Sequence, residues 1–285
     1  MIVVTGATGN VGRTLVRLLT EGGHDVTAVA RRIRPSDVPA GVRAVAADLG
    51  DAESLTAALD GAKSLFLLVA GDDPAGVLAR AKAAGVVTVV LLSSQGVGTR
   101  PGGAYAHAAA YEQAVAAAGL RYTVLRSGGM ASNALAWAEP IRARRIAPAP
   151  FAQVGLPFVD PDDVAAVAAA VLTGNGHDGA TYVLTGPAPT TPRQRAEAIA
   201  DAIGEPVTFL EQTREQAFAQ MSAFMPAPVV EGTLSILGEP TPAEQAVSPD
   251  VEHILGRPAA PFTAWARRNA AAFGGPVHGS TVVDQ

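Results

Sequence analysis

Ile2-Val3-Val4-Thr5-Gly6-Ala7-Thr8-Gly9-Asn10-Val11-Gly12 is the stretch on which the reading of this chain turns. A β-branched run ends at Thr5, glycines stand at 6, 9 and 12, and Leu15, Leu18 and Leu19 follow at helical spacing, so a strand, a glycine turn and a helix succeed one another directly. A turn without Cβ atoms lets backbone N–H groups approach a dinucleotide pyrophosphate, and a helix start adds unpaired amides and a dipole that favour the anion. Gly6 is expected to make the turn, Gly9 to clear the pyrophosphate and Gly12 to let the helix pack on the sheet, with Thr8, Asn10 and Val11 in the same cofactor-binding segment. The spacing is GxxGxxG instead of GxGxxG, which alone is a weak match; its place between strand and helix gives it weight.

Outward from this turn, short β-branched runs alternate with Ala/Leu-rich stretches of helical period. That alternation predicts βαβ units on a parallel sheet. Strands are expected at 2–5, 25–30, 44–46, 65–69, 86–92 and 122–125, with crossover helices at 11–20, 52–59, 74–84 and 107–118. Gly22, Gly61, Gly85 and Gly119 stand where left-handed helix caps would fall. A Gly-, Pro- and Arg-rich segment, 127–157, then breaks the pattern before a helix at 161–173, a last strand at 181–185 and helices near 192–203, 213–224 and 262–272. Asp160, Asp162 and Asp163 read first as a cap and a negatively charged first turn around Pro161, and second as catalytic carboxylates.

At the end of the second strand, an NAD-type site places an acidic residue for the ribose 2′-hydroxyl. Here Val29-Ala30-Arg31-Arg32 offers two guanidiniums, which suit a 2′-phosphate through charge-assisted hydrogen bonds; the alternative is a solvated arginine pair. Asp48 and Leu49 are placed to border the adenine, and Val69, Ala70 and Gly71 to pass the ribose.

Composition narrows the classes. The chain has 285 residues, no Cys, 30 Gly and 21 Pro, and 48% hydrophobic against 16% charged residues, enough for a full core. Disulfides, thiol catalysis and zinc–thiolate sites are excluded. The longest apolar run, Val164 to Leu172, is far short of a membrane span, and no basic region precedes the apolar residues at the start, so a cytoplasmic protein without a membrane segment is expected. Residues 1–150 carry a net charge of +4 and residues 151–285 a net of −9. A mildly basic first half suits an anionic ligand, and the acidic second half argues against direct nucleic-acid binding. The five His, at 24, 107, 177, 253 and 278, show no paired ligand spacing, so no metal site is expected.

Further motifs add a family resemblance. Besides Gly6–Gly12 and Arg31, they are Leu91-Leu92-Ser93-Ser94, Leu125-Arg126-Ser127-Gly128-Gly129, Phe158-Val159-Asp160 through Asp163-Val164-Ala165, and, more faintly, Ile254-Leu255-Gly256-Arg257. With these the chain resembles the short-chain dehydrogenase/reductase superfamily in its atypical branch, the NmrA-like and NAD(P)H:quinone (azo)reductase-like proteins, over most of its length to about Gly204. The resemblance implies an α/β fold, a Rossmann-like doubly wound parallel sheet of seven strands with a small C-terminal substrate-binding region facing the nicotinamide. It also implies NADP(H) binding, with Ser93 among the cofactor-binding residues. Residues 1–130 would form the NAD(P)-binding core, 131–273 a substrate-binding region interleaved with the last strand and helices of that core, and 274–285 a flexible tail.

One departure stands out. Members that reduce carbonyls use a Tyr-x-x-x-Lys pair after the fifth strand, whereas the only lysines here, Lys63 and Lys82, precede that strand, and Ala109 and Val115 follow Tyr105 and Tyr111 at i+4. Ser94, Tyr105 and His107 remain as candidate catalytic donors, or as simple packing at a helix start. Two functions follow. One is an NADP(H)-dependent oxidoreductase that passes hydride to a quinone-like or other conjugated small-molecule acceptor, with Met130, Leu135, Trp137 and Phe151 lining an apolar pocket or else packing on their own core. The other is an NmrA-like regulatory protein that senses NADP(H) without turnover and contacts a protein partner. A monomer or a homodimer suits either.

Overall fold

The computed structural model describes residues 1–275. Of the expected tail, only Gly274 and Gly275 lie among them, and 276–285, with His278, fall outside the described residues. In chain order the elements are β1 (Ile2–Thr5), α1 (Asn10–Glu21), β2 (Val26–Ala30), β3 (Arg43–Ala46), α2 (Thr56–Leu59), β4 (Ser64–Leu68), α3 (Pro74–Ala83), β5 (Thr88–Ser94), α4 (Gly96–Thr99), α5 (Ala106–Ala117), β6 (Arg121–Ser127), α6 (Ala138–Arg144), β7 (Ile146–Ala149), α7 (Pro161–Thr173), β8 (Thr181–Leu184), α8 (Pro192–Ile203), β9 (Thr208–Glu211), α9 (Arg214–Ser222), α10 (Ala227–Gly238), α11 (Pro242–Gln245), α12 (Asp250–Leu255) and α13 (Phe262–Arg268). They divide into two compact units. The first comprises Met1–Gly128, Pro161–Leu184 and Ser248–Pro258; the second comprises Gly129–Asp160, Thr185–Val247 and 259–275 of the described residues.

In the first unit seven strands pair in the order β3-β2-β1-β4-β5-β6-β8, parallel at every step. This is a Rossmann-like doubly wound sheet. Because side chains alternate across a strand, Val3, Leu65, Leu67, Val89, Leu91 and Val124 share one face with Leu55, Leu59, Val77, Leu78, Tyr111 and Val115 of the helical segments there. The other face is covered by α1 and α7, which pack on each other and on the strands. On α1, Val11, Leu15, Val16 and Leu19 form the buried stripe; truncating one such leucine to Ala costs about 2–5 kcal/mol. At the sheet edge, Asp250 of α12 accepts a hydrogen bond from the β8 amide of Val183 at 2.7 Å.

Three local expectations change. The left-handed residue after α1 is Gly23 (φ 77°), not Gly22, which has φ −75°, because the helix runs one residue further than its apolar period. Residues 52–59 open with a 3₁₀ turn, Ala52–Leu55, before α2. The acidic cluster at α7 also binds side chains: Asp162 Oδ1 accepts from Thr14 Oγ1 at 2.7 Å, and buried Asp163 pairs with Arg257 at 2.8 Å. Asp160, in the second unit, is buried and pairs with Arg268.

The second unit packs Trp137, Ile141, Ile199, Ile203, Phe262, Trp265 and Phe273 into one core, and its two strands, β7 and β9, pair in parallel from Ile146↔Thr208. Among the described residues of the chain, no helix is long and apolar enough to cross a membrane.

The β1–α1 turn yields a stability test. A Cβ at Gly12 would lie 2.2 Å from the Gly6 carbonyl oxygen and 2.9 Å from the Ala7 Cα, whereas one at Gly9 meets only the Gly6 oxygen, at 3.2 Å. Overpacking against backbone costs about 1–3 kcal/mol, so at roughly 2–4 °C per kcal/mol Gly12→Val is expected to lower Tm by several degrees, and Gly9→Val by clearly less. Thermal melts followed by circular dichroism check this; equal shifts would show that the Gly12 contact is not what holds the turn.

Candidate functional site

The strand order reverses direction between β1 and β4, so the connections leaving these strands run to opposite sides and open a crevice at their C-terminal ends. Thr5 sets the edge: its Oγ1 donates to the Phe66 carbonyl at 2.9 Å and accepts from the Leu68 amide at 3.1 Å. Gly6 follows in the left-handed region, φ 65°, where a Cβ would fall 2.1 Å from Leu68 Cδ1. The Gly9 amide then donates back to the Gly6 carbonyl at 2.9 Å. Gly9 is the extended N-cap of α1 and carries no side-chain cap, and the first turn holds no acidic residue. By contrast α3, α8, α9 and α11 have their first amides taken by Asp73, Thr191, Thr213 and Thr241. The start of α1 is therefore left with unpaired donors beside the crevice.

The crevice is a cleft of about 510 Å³, lined by Thr5, Gly6, Thr8 and Gly9, by Val29 to Arg32, by Ala47, Asp48 and Leu49, and by Leu68, Ala70 and Gly71. The exposed Arg31 and Arg32 make no ion pair or side-chain hydrogen bond among the described residues, so both guanidiniums are available. Asp48 Oδ1 accepts from the Gly50 amide at 2.9 Å. The far wall is held closely. Gly71 has φ 80°, and a Cβ there would lie 2.5 Å from the Leu49 carbonyl. Tyr111, fully buried, donates its phenol to the carbonyls of Ala70 and Gly71, the second at 3.2 Å. Burial pushes that phenol's pKa up, so it stays a donor. Sequence reasoning missed this residue's role; its signal was a polar tip on an otherwise apolar face of α5.

The other expected site residues lie off the cleft lining. Asn10, Val11 and Gly12 form the first turn of α1, and Val69 packs against the core. Ser93 donates to Glu112 Oε1 at 2.6 Å, and Arg126 grips both oxygens of the same carboxylate at 3.0 and 2.6 Å. Hydrogen bonding to Glu112 raises the Arg126 pKa, so this network is a fixed ion pair under the end of β5. Of the candidate catalytic groups, Ser94 Oγ accepts from the Gly96 amide at 3.2 Å. Tyr105 lays its ring over Gly96. His107 is exposed, edge-on to Tyr111 at 5.4 Å. The structure does not gather these three into the cleft.

The second unit has its own cavity, about 430 Å³, lined by Trp137, Val154, Leu156, Phe158, Met221 and Met225 among other apolar groups. Of the four residues expected to line an apolar pocket, Trp137 does so. Phe151, at φ 58°, instead packs against the cluster of Ala217, Val230 and Leu234. Also on the lining is Arg195 of α8, 6% exposed. Its Nη1 donates to the Thr190 carbonyl at 2.7 Å, and its guanidinium stacks 3.9 Å from the Phe158 ring centre. Desolvation pulls its pKa down to about 9, so it remains a cation at neutral pH.

Residues 6–175 match the NAD(P)H-binding family. The chain is 37% identical, over 96% of its length and 99% of the relative's, to the (4-alkanoyl-5-oxo-2,5-dihydrofuran-3-yl)methyl phosphate reductase of Streptomyces griseus. It is 32% identical, over the same shares, to the NAD(P)H azoreductase of Xenophilus azovorans. Its fold superposes on an NADPH-dependent quinone oxidoreductase of Escherichia coli, solved with NADPH, at a TM-score of 0.77 and 26% identity, covering 93% of this chain and 98% of that one. The chain belongs to the NAD(P)H-binding family.

Proposed function

We propose that this chain passes hydride from NADPH to a quinone-like or other conjugated small-molecule acceptor. The observation that carries this reading is the cleft at the β1–β4 reversal, where an uncapped helix start and two unengaged guanidiniums share one lining. The residues fit the dinucleotide. Gly9 leaves open the space a pyrophosphate needs, the unpaired amides of α1 are its donors, and Arg31 with Arg32 holds the 2′-phosphate. Asp48 and Leu49 border the adenine, while Ala70 and Gly71, fixed by Tyr111, border the ribose.

Bound NADPH supplies the hydride, and the chain supplies position and charge. Neither lysine lines the cleft, and Lys82 donates to the Ala118 carbonyl. The phenol of Tyr111 and the hydroxyl of Ser93 are committed to acceptors of their own. An acceptor whose reduced form is a stabilised oxyanion needs no positioned acid, because water protonates it. The names of the relatives agree: an alkanoyl-substituted oxo-dihydrofuran, an azo substrate and a quinone are all conjugated acceptors.

The cofactor half is tested with NADPH and NADH titrations. Losing a hydrogen bond to a charged group costs about 1.5–3 kcal/mol, so Arg31→Ala is expected to weaken NADPH roughly tenfold to a hundredfold while NADH barely moves. Equal losses for both cofactors would make Arg31 structural. Gly9→Val is expected to abolish binding of both.

The acceptor half is tested by NADPH oxidation across quinones and aliphatic ketones. Positioned acid–base help contributes about 100- to 10,000-fold, so without it ketones are expected to be slow and quinones fast, with Tyr105→Phe and His107→Ala only modestly slower on quinones. Brisk ketone turnover that disappears in Tyr105→Phe would overturn the reading. No turnover on any acceptor, together with unequal NADP⁺ and NADPH affinities, would favour the regulatory alternative.

A further inference from the structure

Arg195 is a buried cation without an acid. It makes no ion pair among the described residues, and no Asp, Glu or Lys shares the lining of its cavity, so it is the one formal charge there. Its Nη1 is taken by Thr190, but a guanidinium has five N–H donors, and Nε and Nη2 find no acceptor among the described residues. No buried side-chain nitrogen among the described residues is left without a partner. These donors are therefore not sealed in protein, and the residue that carries them lines the cavity.

Such an arrangement calls for an explanation. Burying a cation without a carboxylate is unfavourable, and the Phe158 ring at 3.9 Å offsets only part of that. Nor is the arginine needed to satisfy Thr190, whose carbonyl also accepts from the Leu156 amide at 3.3 Å. What the placement provides is a fork of N–H donors at the wall of a cavity of about 430 Å³, a volume in the range of small-ligand sites. The rest of the lining is largely apolar and includes Trp137, Leu156, Met221 and Met225.

We propose that this cavity binds an organic anion, an apolar and preferably aromatic body bearing one carboxylate, sulfonate or phosphate, with Arg195 as its anchor. The fork matches the two oxygens of such a group, and the thioethers and rings match the body.

The test compares naphthalene-2-carboxylate with its neutral twin naphthalene-2-carboxamide, following quenching of Trp137 and calorimetry. The carboxylate is expected to bind roughly tenfold or more tightly than the amide, and Arg195→Gln to bring the two within about twofold while NADPH affinity is unchanged. Equal binding of the pair to the wild type, failure of both to bind, or a preference that survives Arg195→Gln would each overturn the anchor. Should that variant not fold, phenylglyoxal labelling of Arg195 in the wild type, mapped by mass spectrometry, takes its place. The carboxylate is expected to slow labelling and the amide not to, and either equal labelling or none at all would count against the proposal. Quinone turnover is run in parallel. Carboxylate preference without turnover keeps the anchor and removes the reductase reading, while turnover without that preference does the reverse.

Discussion

The Gly6 carbonyl occupies the space that a side chain at residue 12 would need, with its oxygen 2.2 Å from where that Cβ would sit. This close approach brings the first turn of α1 against the end of β1. Gly6 itself must adopt φ 65° to turn the chain, and its own missing Cβ makes room for Leu68 at the end of β4. Two absent methyl groups thus bring the two strands at the order reversal and the helix start to one point, and the cleft opens there.

The opposite wall depends on a second set of close contacts. Gly71 comes within contact of the Leu49 carbonyl, so the loops after β3 and β4 touch through backbone and leave little room for independent movement. Tyr111 fixes the same loop from below, with two carbonyls on one phenol. Its ring belongs to the sheet core, which ties the geometry of the cleft to the packing of α5. A cleft walled by short loops is kept in shape by groups that never line it.

The sheet was legible because its signals are local. Near-continuous apolar strands and helices of clear period alternate from Ile2 to Leu125, and α7 and α8 begin at prolines that follow good capping residues. β7 and β9 were not legible: each has four residues, and each pairs only with a partner some sixty positions away. The glycine turn after β1 and the arginines after β2 stood out as a candidate phosphate site because such a site needs few residues in fixed order. The roles of Tyr111, Glu112 and Asp163 could not be, since each depends on a partner brought near only by the fold: the Ala70 carbonyl, Ser93 with Arg126, and Arg257. Arg195 gave no signal at all, because a basic residue in the first turns of a helix ordinarily reads as solvated.

The chain uses arginine in two opposite ways, and the contrast bears on why Arg195 is an arginine. Arg31 and Arg32 are exposed, so water solvates their charge at little cost. Arg195 has lost that solvation, and burial alone moves its pKa to about 9. An ordinary lysine starts roughly two units below an arginine, so desolvation of the same kind would leave an ammonium at this position much closer to losing its proton. The guanidinium therefore holds its charge more securely than an ammonium would in so apolar a place. It also spreads that charge over a plane that stacks on Phe158 and keeps further N–H donors in reserve.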